Sequence, residues 1–135
     1  MAEGWNGKDY LVLFNDEEAQ SASQRYDIAA LLPGYRIVGL YFWDDFIVKD
    51  EHGVTYALPA VPCDSAELAR FQIPAADHLV PDSRFTGKIR WFIKPIKFGG
   101  DPTASENTTW VSLAQHADYV RWWNALYRDL TAIRR

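Results

Sequence analysis

The sequence has little cysteine and no long hydrophobic run. Its single cysteine, Cys63, cannot form a disulfide within the chain, so we expect a reducing compartment. No apolar run approaches the ~20 residues that span a bilayer. The first residues, MAEGWNGKDYLVLFNDEE, lack the basic region followed by an apolar region that marks a signal peptide. These absences predict a cytoplasmic protein that does not insert into a membrane.

Motifs that carry catalysis or bind metals are also absent from the sequence. His52, His78 and His116 are far apart, and none of them has metal-ligand spacing with Cys63. No basic residue flanks Cys63 to activate its thiol, and there is no Gly-x-Ser-x-Gly elbow. We therefore predict that the protein is not an enzyme and uses no catalytic residue, cofactor or metal.

Aromatic residues, by contrast, are abundant. They make up 15% of the 135 residues, in a chain that is 48% hydrophobic and 24% charged. This length and composition predict one globular domain over residues 1–135. Large aromatic side chains serve both hydrophobic cores and protein–protein interfaces, so their number alone does not separate the two uses.

Charge is distributed unevenly along the chain. Residues 1–82 carry 14 of the 18 Asp and Glu residues, whereas residues 83–135 carry 9 of the 14 Lys and Arg residues. An acidic surface attracts basic partners and repels nucleic acid. The acidic N-terminal part therefore favours a protein partner and makes nucleic acid a less suitable one.

The order of periodic segments predicts an α+β fold. Asn15 and Glu18 form a capping-box pattern that starts a helix over residues 16–25. Asp64 followed by Glu67 predicts a short second helix by the same logic. Runs of β-branched and aromatic residues, separated by turn signals, predict antiparallel strands over residues 35–43, 45–50, 54–61, 88–93 and 107–112.

The final segment is the most regular part of the sequence. Ser112 and Gln115 form a second capping box, and neither glycine nor proline follows them. An apolar stripe at helical spacing predicts a helix of about 20 residues, formed by His116, Val120, Trp123, Tyr127 and Leu130. We predict a single domain with a mainly antiparallel sheet of about 4–6 strands. An N-terminal helix and this long C-terminal helix are expected to pack on the sheet.

The stretch FGGDPTASEN, residues 98–107, could hold a ligand or form a tight turn. A phosphate-binding loop runs from its glycines through a lysine into a helix. Here Gly99 and Gly100 are followed by Asp101, which would repel an anion. The stretch also offers too few side-chain oxygens at alternating positions for a calcium loop. We therefore favour a structural loop that depends on Gly99, Gly100, Asp101 and Asn107.

Two residues of the final helix are predicted to support this loop. Asn124 lies among good helix formers, where asparagine is disfavoured unless its amide finds a partner, and it directly follows Trp123. We predict that Asn124 hydrogen-bonds the backbone of residues 99–107 and fixes the loop against the helix.

The WDDF segment offers two adjacent carboxylates, Asp44 and Asp45. In an extended strand they would point to opposite faces and could not share a proton. In a turn, Asp44 is expected to accept hydrogen bonds from the backbone. Neither geometry predicts a general acid. A structural turn is favoured over a carboxylate that faces a partner.

The stretch RFTGKIRWFIKPIKF, residues 84–98, interleaves five basic residues with aromatic ones. This pattern is typical of a platform that stacks single-stranded nucleic acid. It is also what a half-buried strand produces. In that case Ile89, Trp91 and Ile93 lie inside, whereas Lys88, Arg90 and Lys94 are merely solvated. We favour the strand, because the rest of the domain is acidic.

Several segments, in this order, resemble the SUKH superfamily of bacterial toxin-immunity proteins and fungal cell-wall assembly regulators. They are LPGY, GLYFWDDFIVKDEHGVTYALP, KPIKFGGDP, EN, WV and HADYVRWWNALY, and together they span roughly residues 32–130. The resemblance implies a single α+β domain that binds a partner protein and catalyses no reaction. In bacteria the implied partner is a secreted polymorphic toxin, frequently a nuclease.

The leading hypothesis is therefore an immunity-type module that neutralises a cognate toxin by direct binding. We expect the partner to contact the carboxylates Asp44, Asp45, Asp50 and Glu51. One alternative is a nucleic-acid-binding domain that uses residues 84–97. Another is a small enzyme, or a small ligand-binding or regulatory domain, with its site near Asp101 and His116.

Overall fold

The computed structural model describes residues 1–133, with side chains through residue 131. Residues 1–133 form three α-helices and eight strands, with short 3-10 turns between them. The helices are α1 (Asp16–Arg25), α2 (Ile28–Leu31) and α3 (Leu113–Ile133). The strands are β1 (Ala2–Asn6), β2 (Asp9–Leu13), β3 (Tyr35–Tyr41), β4 (Asp45–Asp50), β5 (Thr55–Pro59), β6 (Ala69–Arg70), β7 (Ile89–Phe92) and β8 (Thr108–Val111). The predicted α+β fold is confirmed.

Six strands form one antiparallel sheet in the order in which they occur in the chain, β1 to β6. The predicted meander over residues 35–61 corresponds to β3, β4 and β5. The N-terminal hairpin of β1 and β2 was not predicted from the sequence. It turns at Gly7, whose φ of +64° lies in the left-handed region that glycine adopts without strain. Backbone bonds between Trp5 and Val80 cover the outer edge of β1.

The helix α1 begins at the predicted position. The side chain of Asn15 accepts a bond of 2.8 Å from the backbone N–H of Glu18, and the Glu18 carboxylate accepts one of 2.9 Å from the N–H of Asn15. Both halves of the predicted capping box are thus present. Ala22 at the centre of α1, Tyr26 after its end and Ile28 in α2 bury their side chains against the sheet.

The sheet has a hydrophobic core on each face. The larger core lies under the helices, where Val12, Ile37, Leu40, Phe46 and Leu58 of the strands meet α1, α2 and α3. The smaller core lies on the opposite face, where strand residues are covered by the connection after β6, through Phe71, Ile73 and Leu79. Both faces of the sheet are covered at β4, so Phe46, Ile47 and Val48 are all buried. The sequence of β4 is therefore a continuous apolar run and not an alternation of apolar and polar residues.

The strands β7 and β8 form a separate two-stranded antiparallel sheet that leads into α3. The predicted capping box at the start of α3 is confirmed, because Ser112 and Gln115 exchange side-chain-to-backbone bonds of 3.0 and 3.2 Å.

The buried face of α3 is narrower than predicted. It consists of His116, Ala117, Val120 and Asn124, whereas Leu130 is 41% exposed. The predicted stripe is therefore wrong at Leu130, because burial along α3 decreases after Asn124 and residues 128–130 are exposed. Among the described residues, no helix combines the length and the apolar character that crossing a membrane requires.

Candidate functional site

A groove of about 490 Å³ runs between the turn after β3, the segment after β5 and the start of α3. One wall is acidic and the other is apolar. The acidic wall carries the carboxylates of Asp44, Asp45, Asp64 and Glu67. The apolar wall carries Trp91, Phe92, Pro95 and Ile96. The buried ring of His116 also lines the groove. Apart from this histidine, Lys97 is the one basic residue that lines it within the described part of the chain.

The turn between β3 and β4 presents the two aspartates of WDDF. Phe42 and Trp43 both have positive φ angles, +49° and +64°, in the three-residue turn that connects β3 to β4. Left-handed backbone costs about 1 kcal/mol or more for each non-glycine residue. Packing of the Trp43 ring compensates for this cost, because it stacks on Tyr10 with centroids 4.6 Å apart and is only 2% exposed. The turn is thereby fixed, and both Asp44 and Asp45 reach the groove.

Asp44 forms an ion pair with Arg90 on β7. The guanidinium of Arg90 also lies 5.0 to 5.2 Å from the ring centroids of Phe42, Trp43 and Phe92. Two predictions are wrong here. Arg90 is not merely solvated, because its side chain is held between aromatic rings. The Asp44 carboxylate accepts from this arginine and not from the backbone, because the turn directs it at β7.

Burial dominates the electrostatics of the aspartate pair. It raises the pKa of Asp44, and the attraction of Arg90 offsets only part of the effect. Burial, and then repulsion by Asp44, raises the pKa of Asp45 to about 6. Within the described part of the chain the Asp45 carboxylate has no hydrogen-bond or ion-pair partner. The groove therefore contains an unneutralised carboxylate that a cation would stabilise.

His116 lies at the end of the groove that faces the helices, and it is 1% exposed. Its Nδ1 is 2.5 Å from the hydroxyl of Tyr26. Burial raises the pKa of Tyr26 and lowers the pKa of His116 to about 3, so both groups are neutral near pH 7. The Tyr26 hydroxyl has no other acceptor in the described part of the chain, so it donates to Nδ1. The imidazole proton is therefore on Nε2.

The segment between β5 and the first 3-10 turn is fastened to α3 by Asn124. Its Oδ1 accepts a bond of 2.9 Å from the backbone N–H of Cys63, and its Nδ2 donates one of 2.8 Å to the carbonyl of Ala60. The prediction that Asn124 bonds to residues 99–107 is wrong, because both ends of its amide bond to the backbone of the segment after β5. Burial, together with the neighbouring Asp64, raises the pKa of Cys63 to about 12, so its thiol stays protonated.

The predicted short helix after Cys63 is a single 3-10 turn over Ser65–Glu67. Asp64 caps it by accepting a bond of 3.0 Å from the N–H of Ala66. The turn is too short to continue, since β6 follows directly and pairs with β5. It places Asp64 and Glu67 on the acidic wall.

The diglycine loop lies beside the apolar wall. A Cβ on Gly100 would be 1.8 Å from the carbonyl oxygen of Lys94, so only glycine fits. Asn107 closes the loop by bonding both the N–H and the carbonyl of Lys94, at 2.8 and 3.0 Å, and the carbonyl of Asp101 at 3.2 Å. The amide that secures this loop therefore belongs to Asn107.

Asp101 and Trp123 have local roles at the same loop. The Asp101 carboxylate accepts from the N–H and hydroxyl of Thr103, at 2.8 and 2.7 Å, and these bonds lower its pKa. Trp123 packs on Phe98, with ring centroids 4.8 Å apart, at the position just before Gly99. Asp101 is exposed and is not among the residues that line the groove.

The four carboxylates predicted to contact a partner do not lie together. Asp45 begins β4 and Asp50 ends it, so the two are about 17 Å apart at ~3.4 Å per residue. Asp50 accepts bonds of 2.9 Å from the N–H groups of His52 and Val54 in the next turn. Glu51 lies in that turn as well, so the groove unites Asp44 and Asp45 only.

The basic and aromatic stretch is a strand and not an open stacking surface. Ile89 and Trp91 are buried as predicted, but Ile93 is 53% exposed. The alternation ends because β7 stops at Phe92. Arg84 forms an ion pair with Asp82 at 2.7 Å, so Arg84, like Arg90, is already neutralised by an aspartate.

Comparison with models of known protein families, with curated proteins and with solved structures finds no match to this chain. Among residues 1–133, no group of three His, Cys, Asp or Glu side chains is arranged to hold a metal ion. The groove itself is therefore the basis for any functional proposal.

The sequence alone did not predict which residues line the groove together. Asp45 is 71 positions before His116, and nothing in the local pattern of either residue indicates that they share a cavity. One signal was available for His116, since a histidine on the buried stripe of a helix requires a hydrogen-bond partner. No comparable signal connected Asp64 and Glu67 to the WDDF turn.

Proposed function

We propose that the protein is a non-enzymatic binding module of the immunity type, which neutralises a toxin protein by docking part of it in the groove. The observation that carries the proposal is the Asp45 carboxylate, which is partly buried on the acidic wall of the groove, faces an apolar wall and has no partner in the described part of the chain. A half-desolvated anion is costly when it is alone and favourable when a cation from a partner meets it.

The state of the other reactive groups favours binding over catalysis. The Cys63 thiol is protonated, so it is a poor nucleophile. His116 stays neutral throughout the physiological range, with its Nδ1 already bonded to Tyr26, so it is a poor general base. The resemblance to the SUKH superfamily, in which partner binding is the common activity, supports the same conclusion.

The proposal is tested by growth rescue. Each protein encoded next to this one in its genome is expressed in a bacterial host, alone and together with this chain. We expect one neighbour to stop growth when expressed alone and this chain to restore growth while forming a complex with it. The immunity role is wrong if a neighbour is toxic and this chain neither rescues growth nor binds the toxic protein, or if no neighbour is toxic.

A second candidate is a domain that binds a small cationic molecule. The groove volume of about 490 Å³ lies within the ~300–1,000 Å³ of typical small-molecule sites. Agmatine, a free guanidinium compound, distinguishes the two functions. An increase in melting temperature with micromolar agmatine would favour the small-molecule role. We expect no increase at that concentration, because a partner protein supplies further contacts outside the groove.

A further inference from the structure

We propose that the groove recognises an arginine of the partner protein, with Asp45 binding its guanidinium and the Nε2–H of His116 donating to a main-chain carbonyl of the same segment. This inference rests on the proposed function and specifies the chemistry of the docked segment. It is carried by two independent features of the groove, one for charge and one for hydrogen bonding.

The first feature is the imbalance of charge. Among the described residues, four carboxylates and one lysine line the groove. Asp44 is already paired with Arg90, and Asp64 caps the adjacent 3-10 turn. Glu67 has no such partner among the described residues either, but it is exposed to water. Asp45, the first residue of β4, is half-buried and has neither kind of partner within the described residues. The cation that this cavity lacks would therefore bind at Asp45.

The second feature is a hydrogen-bond donor that opens on the groove and has no partner among the described residues. His116 is 1% exposed and lines the groove, and the Tyr26 hydroxyl occupies its Nδ1. Its proton is therefore on Nε2, which bonds to no group in the described part of the chain. The side-chain atoms that are both fully enclosed and unpaired do not include Nε2, so this N–H opens on the groove, where a carbonyl oxygen of a bound segment can take the place of solvent. A peptide segment supplies such a carbonyl beside each of its side chains.

The apolar wall favours arginine over lysine. A guanidinium is planar and weakly hydrated, so it stacks on aromatic rings, whereas an ammonium retains its water. The protein already holds one arginine in this way, since Arg90 lies against Phe92 and pairs with Asp44. Both Phe92 and Asp44 line the groove. A second guanidinium between Asp45 and Trp91 would repeat that arrangement.

The test uses the intact protein and two short peptides, acetyl-Leu-Arg-Leu-amide and its citrulline counterpart, which has nearly the same shape and no charge. Binding is followed by NMR through the indole N–H of Trp91 and the imidazole nitrogens of His116. We expect saturable binding of the arginine peptide, about tenfold or more weaker binding of the citrulline peptide, and a downfield shift of the His116 Nε2–H. Asp45→Asn should reduce the affinity for the arginine peptide by about tenfold or more.

The control is Asp77→Asn, which removes the same charge at an exposed position outside the groove and should leave the affinity unchanged. The inference is overturned if the two peptides bind equally, if neither binds, if Asp45→Asn binds like the unmodified chain, or if His116 has its proton on Nδ1. Stronger binding of agmatine than of the arginine peptide would also overturn it. Growth rescue does not depend on these peptides, so the proposed function can stand when this inference fails.

Discussion

Asn124 joins α3 to the segment that forms part of the acidic wall. It is 2% exposed, and its side chain satisfies two backbone groups, the N–H of Cys63 and the carbonyl of Ala60. A buried polar group without a partner costs more than an average hydrogen bond contributes. The side-chain amide of Asn124 is therefore expected to contribute more to the free energy of unfolding than an average side chain of this 21-residue helix.

We predict that Asn124→Ala lowers the free energy of unfolding by about 2–4 kcal/mol, because it leaves two buried backbone groups unpaired. Urea unfolding followed by tryptophan fluorescence measures the change. Arg128→Ala, at an exposed position of the same helix, should shift stability by less than about 0.5 kcal/mol. Equal stability of the two variants would contradict the role given to Asn124.

The glycines differ in the reason that each one is required. Gly34 has a φ of +87° with open space around its Cα, whereas Gly100 is pressed against the Lys94 carbonyl. Gly34→Ala should cost about 1 kcal/mol for left-handed backbone alone. Gly100→Ala should cost about 2–4 kcal/mol, because the loop must move to admit a methyl group. Urea unfolding of both variants tests this order, and a larger cost at Gly34 would contradict it.

At the scale of elements, sequence patterns were reliable where the determining contacts are local. Both capping boxes, Asn15 with Glu18 and Ser112 with Gln115, are present because each involves groups three residues apart. The meander was predicted for the same reason, since its strands are consecutive and its turns are short. The orientation of Asn124 was missed, because its two partners are more than 60 residues away.

The N-terminal hairpin was missed although a signal was present. Gly7 and Lys8 form the two-residue turn between Asn6 and Asp9, and glycine at the first turn position is typical of hairpins. The strand β2 is buried on both faces from Tyr10 to Leu13 and so shows no alternation. Without alternation, an apolar run of this length does not identify a strand, and the pairing with β3 is known only from the fold.

Ionisation of Asp45, next to the turn between β3 and β4, destabilises the folded protein to an extent that depends on pH. The pKa of Asp45 is about 6 in the folded protein and near its ordinary value of 3.8 in the unfolded chain. Between these values the folded state binds more protons, so stability falls as the pH rises through that window. The penalty is complete above pH 6 and absent below pH 3.8.

Asp45→Asn removes this penalty. We predict that the variant is more stable than the unmodified chain by about 1–2 kcal/mol at pH 7.5, a value reduced for partial exposure to solvent. The gain should disappear near pH 4. Urea unfolding at several pH values measures it, with Asp77→Asn as the control for loss of one negative charge. A gain that is equal at pH 4 and pH 7.5 would show that Asp45 carries no such penalty.

At the scale of the whole molecule, charge determines how a partner approaches. The chain has a net charge of −4, with most of its carboxylates in residues 1–82. Long-range attraction of a basic partner raises the association rate and is screened by salt. We predict that the association rate with the toxin found by growth rescue falls about tenfold or more between 0.05 and 0.5 M NaCl. Stopped-flow fluorescence of the six tryptophans can follow it. A rate that does not depend on salt would contradict electrostatic steering.

The central claim is that an unpaired carboxylate is kept in the groove at a cost to stability because it binds a partner. Growth rescue by Asp45→Asn tests the claim most directly, at expression levels matched to those of the unmodified chain. We predict that the variant is more stable at pH 7.5 and yet protects cells from the toxin far less well than the unmodified chain or Asp77→Asn. Full protection by Asp45→Asn would contradict the claim.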